Sequence, residues 1–118
     1  EISYIHSEAY AAGELKHGTI SLITKDTPVF SSATNKHINA KTISNLKEVI
    51  SRGAKCYLIT DEDIKDDNIK VIKIKKVSMF LKPLLTIIPY QLIAYYTAKL
   101  KGCDIDKPRN LAKSVTVE

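Results

Sequence analysis

The chain has 118 residues, 44% of them hydrophobic, 26% charged and with a formal net charge of +5, the size of one compact module and no more. It carries neither a secretory leader pattern nor an uninterrupted apolar run of about 18 residues, which speaks against export and against a membrane span. Its nearest approach to such a run, Leu81 to Tyr96, is broken by Lys82, Pro83, Pro89 and Gln91 and suits a buried core helix.

Taken in chain order, Ile2, Ile5, Ala9 and Ala12 recur at helical spacing as far as Gly13, which bends or breaks the segment before Glu14-Leu15-Lys16-His17-Gly18. The opening Glu1-Ile2-Ser3-Tyr4-Ile5 has neither Met nor cap, so the chain is expected to be cut from a longer helix that begins upstream. After the turn signal Asp26-Thr27, Pro28 to Ser31 predicts a short strand led by its proline. A helix is expected from Lys36 to Arg52, with Ile43, Leu46 and Ile50 on one face and Gly53 as its stop. Cys56 to Ile59 has the short apolar character of a strand buried in a parallel sheet. The acidic loop Asp61 to Asn68 leads to a third strand, Val71 to Ile74. A last helix is expected from Met79 to Lys101, interrupted or bent at Pro83 and Pro89 and ended by Gly102. Strand, helix, strand at this spacing predicts a right-handed βαβ crossover in a layered α/β fold.

The chemistry legible in the bare residues is sparse. Cys56 and Cys103 lie far apart with no CxxC or histidine spacing, so neither a disulfide framework nor a zinc site is indicated; buried thiols in a reducing compartment are expected. Lys70, Lys73, Lys75 and Lys76 interleave with Val71, Ile72 and Ile74 as the exposed face of a strand and its turn, without the aromatic platform of a nucleic-acid site. No glycine-rich phosphate loop occurs. By itself this describes a basic cytosolic α/β module.

Two segments say more. The run Ser7-Glu8-Ala9-Tyr10-Ala11-Ala12-Gly13-Glu14-Leu15-Lys16-His17-Gly18 and the closing Pro108-Arg109-Asn110-Leu111-Ala112-Lys113-Ser114-Val115-Thr116-Val117-Glu118 together resemble the C-terminal part of the glutamine:fructose-6-phosphate amidotransferase family. In that family a glutamine-hydrolysing domain feeds ammonia to an isomerase domain built of two sugar isomerase (SIS) modules. The resemblance runs end to end. It implies a three-layer, flavodoxin-like SIS module with a mostly parallel sheet that lacks its first elements, plus an irregular C-terminal tail. Residues 1–103 would be a partial second SIS module and 104–118 a tail covering the sugar site.

The resemblance also assigns roles, residue by residue. Glu1 matches the carboxylate that moves a proton from C1 to C2 of the open-chain amino-sugar intermediate, and a dry sugar site would raise such a group toward its working range. His17 matches the ring-opening acid-base residue, contributed from a neighbouring subunit, which implies a homodimer. The family reads His-Gly-Pro there and this chain reads His17-Gly18-Thr19, so Thr19 is expected to cap the turn in place of proline. Lys113 matches the lysine that forms a Schiff base with fructose 6-phosphate. Ala112 would contact the sugar through its backbone, and Ala112 and Val115 would line the ammonia path.

No cofactor or metal is implied. The implied partners are fructose 6-phosphate and glucosamine 6-phosphate, together with the first SIS module and glutaminase domain, and without them the isolated chain is expected to be inactive. Neither a nucleic acid nor a membrane is an expected partner, and a cytoplasmic location is expected. The alternative is a non-catalytic SIS module that senses a sugar phosphate, which would need neither Glu1 nor Lys113.

Overall fold

The computed structural model describes residues 1–109. It forms two compact units, Ala9–Pro89 in one and Glu1–Glu8 with the chain from Tyr90 onward in the other.

The larger unit is built on three parallel strands, β1 (Pro28–Ala33), β2 (Lys55–Thr60) and β3 (Ile69–Lys73), in the order β1-β2-β3. Pairing runs in register from Pro28↔Lys55 to Ala33↔Thr60 and from Cys56↔Ile69 to Thr60↔Lys73. Because side chains alternate across a strand, this register stacks Ala33 beside Thr60 and Val29 beside Cys56 and Ile69 on one face. That face meets helix α1 (Asn39–Ser51), whose Asn39, Thr42, Leu46 and Val49 are buried. The most buried stripe thus passes through Leu46 as expected, with Ile43 and Ile50 half-buried on its flanks. Leu58 and Val49 are fully enclosed, each worth roughly 1.5–3 kcal/mol of burial. On the opposite face Phe30 and Tyr57 stack at 4.8 Å between ring centroids, and Lys70 lies over the Tyr57 ring at 5.5 Å.

Helix α1 begins later than the periodicity suggests because Asn35 turns the chain first. Its side-chain oxygen accepts from the His37 amide at 3.1 Å and its carbonyl from the amides of Ile38 and Asn39. The stop at Gly53 is as expected. With φ at 91°, Gly53 donates to Ile50 O and Ala54 donates to Val49 O, the paired bonds of a left-handed C-terminal cap. The same geometry ends α2 (Lys82–Leu100), where Gly102 (φ 69°) donates to Lys99 O and Cys103 to Ala98 O. Helix α2 starts with Pro83 in its first turn, where a missing amide hydrogen is harmless, and continues through Pro89 without interruption. Among the described residues no helix is long and apolar enough to cross a membrane.

The expected N-terminal helix does not form. The segment carrying Ile2, Ile5, Ala9 and Ala12 is not helical; Glu1 to Tyr4 forms a turn, with the Tyr4 amide donating to Glu1 O at 3.2 Å, and irregular chain follows. The physical reason is that a helix this short is repaid only by packing its apolar face, and here Ile5 and Tyr10 stay exposed. Beyond Gly13 the chain tightens into two 3-10 turns, Glu14–His17 and Thr19–Leu22. Leu15, Ile20 and Ile23 from these turns pack against the α1 and sheet core.

Candidate functional site

Parallel strands deliver their carboxyl ends to one edge of the sheet, the ordinary place for a ligand crevice in such folds. Thr34 follows β1, Asp61 follows β2 and Lys76 lies just beyond β3. With Asn35, His37 and Lys82 these residues line an open cleft of about 230 Å³. The fully buried Thr60 fixes the edge, its hydroxyl donating to Ala33 O at 2.6 Å and accepting from the Glu62 amide at 3.1 Å. Beside it the Lys82 ammonium donates to Asp61 Oδ2 at 2.8 Å and to Thr34 O at 2.5 Å. The Lys82 hydrogen bond holds the Asp61 carboxyl below the usual carboxylate range against the opposing effect of burial. Lys82 therefore ties the ends of β1 and β2 to the first turn of α2. Sequence reasoning missed this pair, although Lys82 is the only charge between Leu81 and Tyr96 and Asp61 closes the apolar run of β2.

Of the residues to which the sequence assigned chemistry, His17 lies in the same unit as this cleft but does not line it. His17 is exposed at the end of the first 3-10 turn, which Lys16 links to α1 through an ion pair with Glu48 at 2.7 Å. It is followed by Gly18 at φ 153°, ψ −61°, a backbone state open to glycine and rarely to other residues. Gly18 occupies the cap position of the second turn, and the Ser21 hydroxyl donates to Gly18 O at 2.7 Å. Thr19 is thus the first residue inside that turn and does not cap it, because glycine can take the cap conformation and threonine cannot do so without strain.

Glu1 lies in the other unit, exposed at the head of its turn. Lys113, Ala112 and Val115 lie outside the described residues. His37 is exposed and lines the cleft, and in the other unit His6 meets Glu8 at 3.1 Å.

In the smaller unit residues 104–109, the described part of the expected tail, make several contacts. The Asp104 carboxylate accepts from the amides of Asp106 at 3.1 Å and Lys107 at 2.9 Å, and Pro108 is buried. The Arg109 amide donates to the Tyr4 hydroxyl at 2.8 Å while its guanidinium sits over the Tyr4 ring, 4.0 Å from the centroid. Lys101 Nζ donates to Ser3 O at 2.6 Å.

With this geometry in hand, comparison with known proteins is decisive on family. The SIS domain model matches residues 1–99. The chain belongs to the SIS domain family. Among solved structures this SIS module is similar to the C-terminal domain of glucosamine-fructose-6-phosphate aminotransferase from Francisella tularensis, with a TM-score of 0.82 and 41% identity over 89% of this chain and 30% of that one. Among curated proteins it is 57% identical over 121 aligned residues to the glutamine--fructose-6-phosphate aminotransferase [isomerizing] of Clostridium tetani and 52% identical over 118 to that of Bacillus subtilis. Each match covers 100% of this SIS chain, which spans about 20% of those relatives' length.

Proposed function

We propose that the chain is the C-terminal isomerase portion of an enzyme that makes glucosamine 6-phosphate from fructose 6-phosphate and glutamine-derived ammonia. The observation that carries this reading is the identity of more than half of aligned positions across the entire chain to aminotransferases of that name. The similarity to a solved C-terminal domain of the same enzyme supports it from the side of the fold.

On this reading His17, from a neighbouring subunit of a homodimer, opens the cyclic sugar by moving a proton between ring oxygen and hydroxyl. The Lys113 amine then attacks the C2 carbonyl, which loses water to form an imine, and ammonia displaces the lysine. Glu1 takes a proton from C1 and returns one to C2, so the ketose imine leaves as an aldose with an amine at C2. Ala112 and Val115 line the path of ammonia and keep water from the imine. The first SIS module and a glutaminase domain supply the remaining sugar contacts and the ammonia. The isolated chain accordingly makes no glucosamine 6-phosphate, and the complete enzyme works in the cytoplasm.

The test is borohydride reduction of the full-length protein with fructose 6-phosphate, followed by peptide mapping. A reduced adduct on Lys113 is expected. Its absence, with sugar phosphate still bound, would favour a sensing module instead.

A further inference from the structure

We infer that Tyr4 is a positioning residue that anchors the root of the C-terminal tail to the segment carrying Glu1, an inference that rests on the reading just proposed. Two contacts of different kind converge on it. Its hydroxyl accepts the Arg109 amide proton at 2.8 Å, and its ring face receives the Arg109 guanidinium at 4.0 Å. A hydrogen bond to the main chain fixes the backbone at Arg109, and a cation over the ring fixes how the residue is turned.

The backbone around Tyr4 is shaped for this contact. Tyr4 sits at φ 52°, a left-handed state that an aromatic residue adopts only where its surroundings impose it. There its amide closes the turn onto Glu1 O at 3.2 Å, and Lys101 Nζ holds Ser3 O at 2.6 Å. The turn keeps the Glu1 and Tyr4 Cα atoms within about 7 Å of each other. On the other side Lys113 follows Arg109 by only four residues in the sequence. One clasp thus joins the turn that carries Glu1 to the point from which the sequence runs on to Lys113. Imine formation gains from such tethering because the amine searches a small volume around the carbonyl. The clasp is assigned no part in holding the sugar, so substrate affinity is expected to stay unchanged.

The experiment uses the full-length protein and follows the rate of reducible adduct formation on Lys113 with fructose 6-phosphate, together with kcat and KM. Tyr4→Ala and Arg109→Ala are each expected to slow adduct formation and kcat about tenfold while KM stays within about twofold. The double variant is expected to be no slower than the worse single one, because both remove one clasp. Tyr4→Phe keeps the ring and loses the acceptor, and is expected to fall between wild type and Tyr4→Ala; Arg109→Lys keeps both the amide and a cation and is expected to restore most of the rate. Thermal unfolding of each variant identifies any that fails to fold, and Tyr4→Phe carries the test if Tyr4→Ala does. Wild-type rates in Tyr4→Ala and Tyr4→Phe, single effects that multiply, or a rise in KM with kcat unchanged would overturn the inference. Absence of the adduct in the wild type overturns the parent reading and the inference with it, whereas an adduct undiminished in the variants overturns the clasp alone.

Discussion

Asp61 Oδ2 and Lys82 Nζ stand 2.8 Å apart at the carboxyl end of the central strand, with 2% and 11% of their side-chain surfaces exposed. Removing the cation leaves the carboxylate enclosed without its counter-charge. Lys82→Ala is therefore expected to destabilise the chain by about 2 kcal/mol at neutral pH. That lies below the roughly 3–5 kcal/mol for breaking a fully enclosed pair, because the adjoining cleft admits water. Urea unfolding measures it. The pair also sets a pH dependence. Asp61 has a folded pKa below its ordinary value of 3.8, so its contribution is fully present above that value and is lost as pH falls through the folded pKa. Asp61→Asn should be less stable than wild type at pH 7, and the gap should narrow steadily below pH 3.8.

Gly53 combines a left-handed backbone with a crowded site. A Cβ placed on it would stand 3.1 Å from the Lys25 Cα, in a segment that Asp26 pins by donating to Gly53 O at 2.8 Å. Gly53→Ala is expected to cost about 1–3 kcal/mol, from positive φ and from displacing main chain rather than a flexible side chain. Chemical denaturation with an unchanged m-value would register it.

The two thiols should differ in reactivity. Burial pushes the Cys56 thiol up to about 11, so almost none of it is thiolate at pH 8. Cys103 is only partly buried. A thiol reagent followed by intact-mass analysis is expected to modify Cys103 first and Cys56 only on unfolding. Equal labelling rates in the native state would show that the β2 core opens far more readily than its packing indicates.

On the function proposed above, His17→Asn in the full-length protein is expected to lower glucosamine 6-phosphate formation by about 100-fold or more, the usual scale for removing an acid-base group. Gly18→Ala should lower it by less. Nothing lies within 4 Å of a Cβ built there, so the substitution acts only through the backbone state that sets the direction of His17. Steady-state rates with fructose 6-phosphate and glutamine separate the two.

Regular structure was legible where local and long-range preferences agree. Cys56 to Ile59 could be placed as a buried strand because an apolar run between turn signals has few other uses, and Gly53 and Gly102 marked helix ends because their left-handed caps demand them. The helical spacing of Ile2, Ile5, Ala9 and Ala12 misled for the complementary reason: periodicity names a face but does not supply the surface that would bury it. Asn35 went unread as the turn before α1 because its hydrogen bonds are local and leave no apolar signature. Asp61 and Lys82 are distant in sequence, and only the fold shows that the two exceptions to apolar runs answer each other. The roles of Glu1, His17 and Lys113 came from resemblance alone; no spacing rule links a carboxylate at one end of a chain to an amine at the other.

The register of the sheet also sets how much chain each strand pairing must close. Cys56 must find Ile69 across a short acidic loop, whereas Pro28 must find Lys55 across the whole α1 crossover. Closure entropy grows with loop length, by about 0.6 kcal/mol per doubling for flexible chain. The β2–β3 ladder therefore carries the smaller closure entropy, and β1 is expected to dock onto it once α1 has formed. Refolding kinetics should accordingly be slowed more by weakening α1 than by lengthening the Asp61 to Asn68 loop by a few residues.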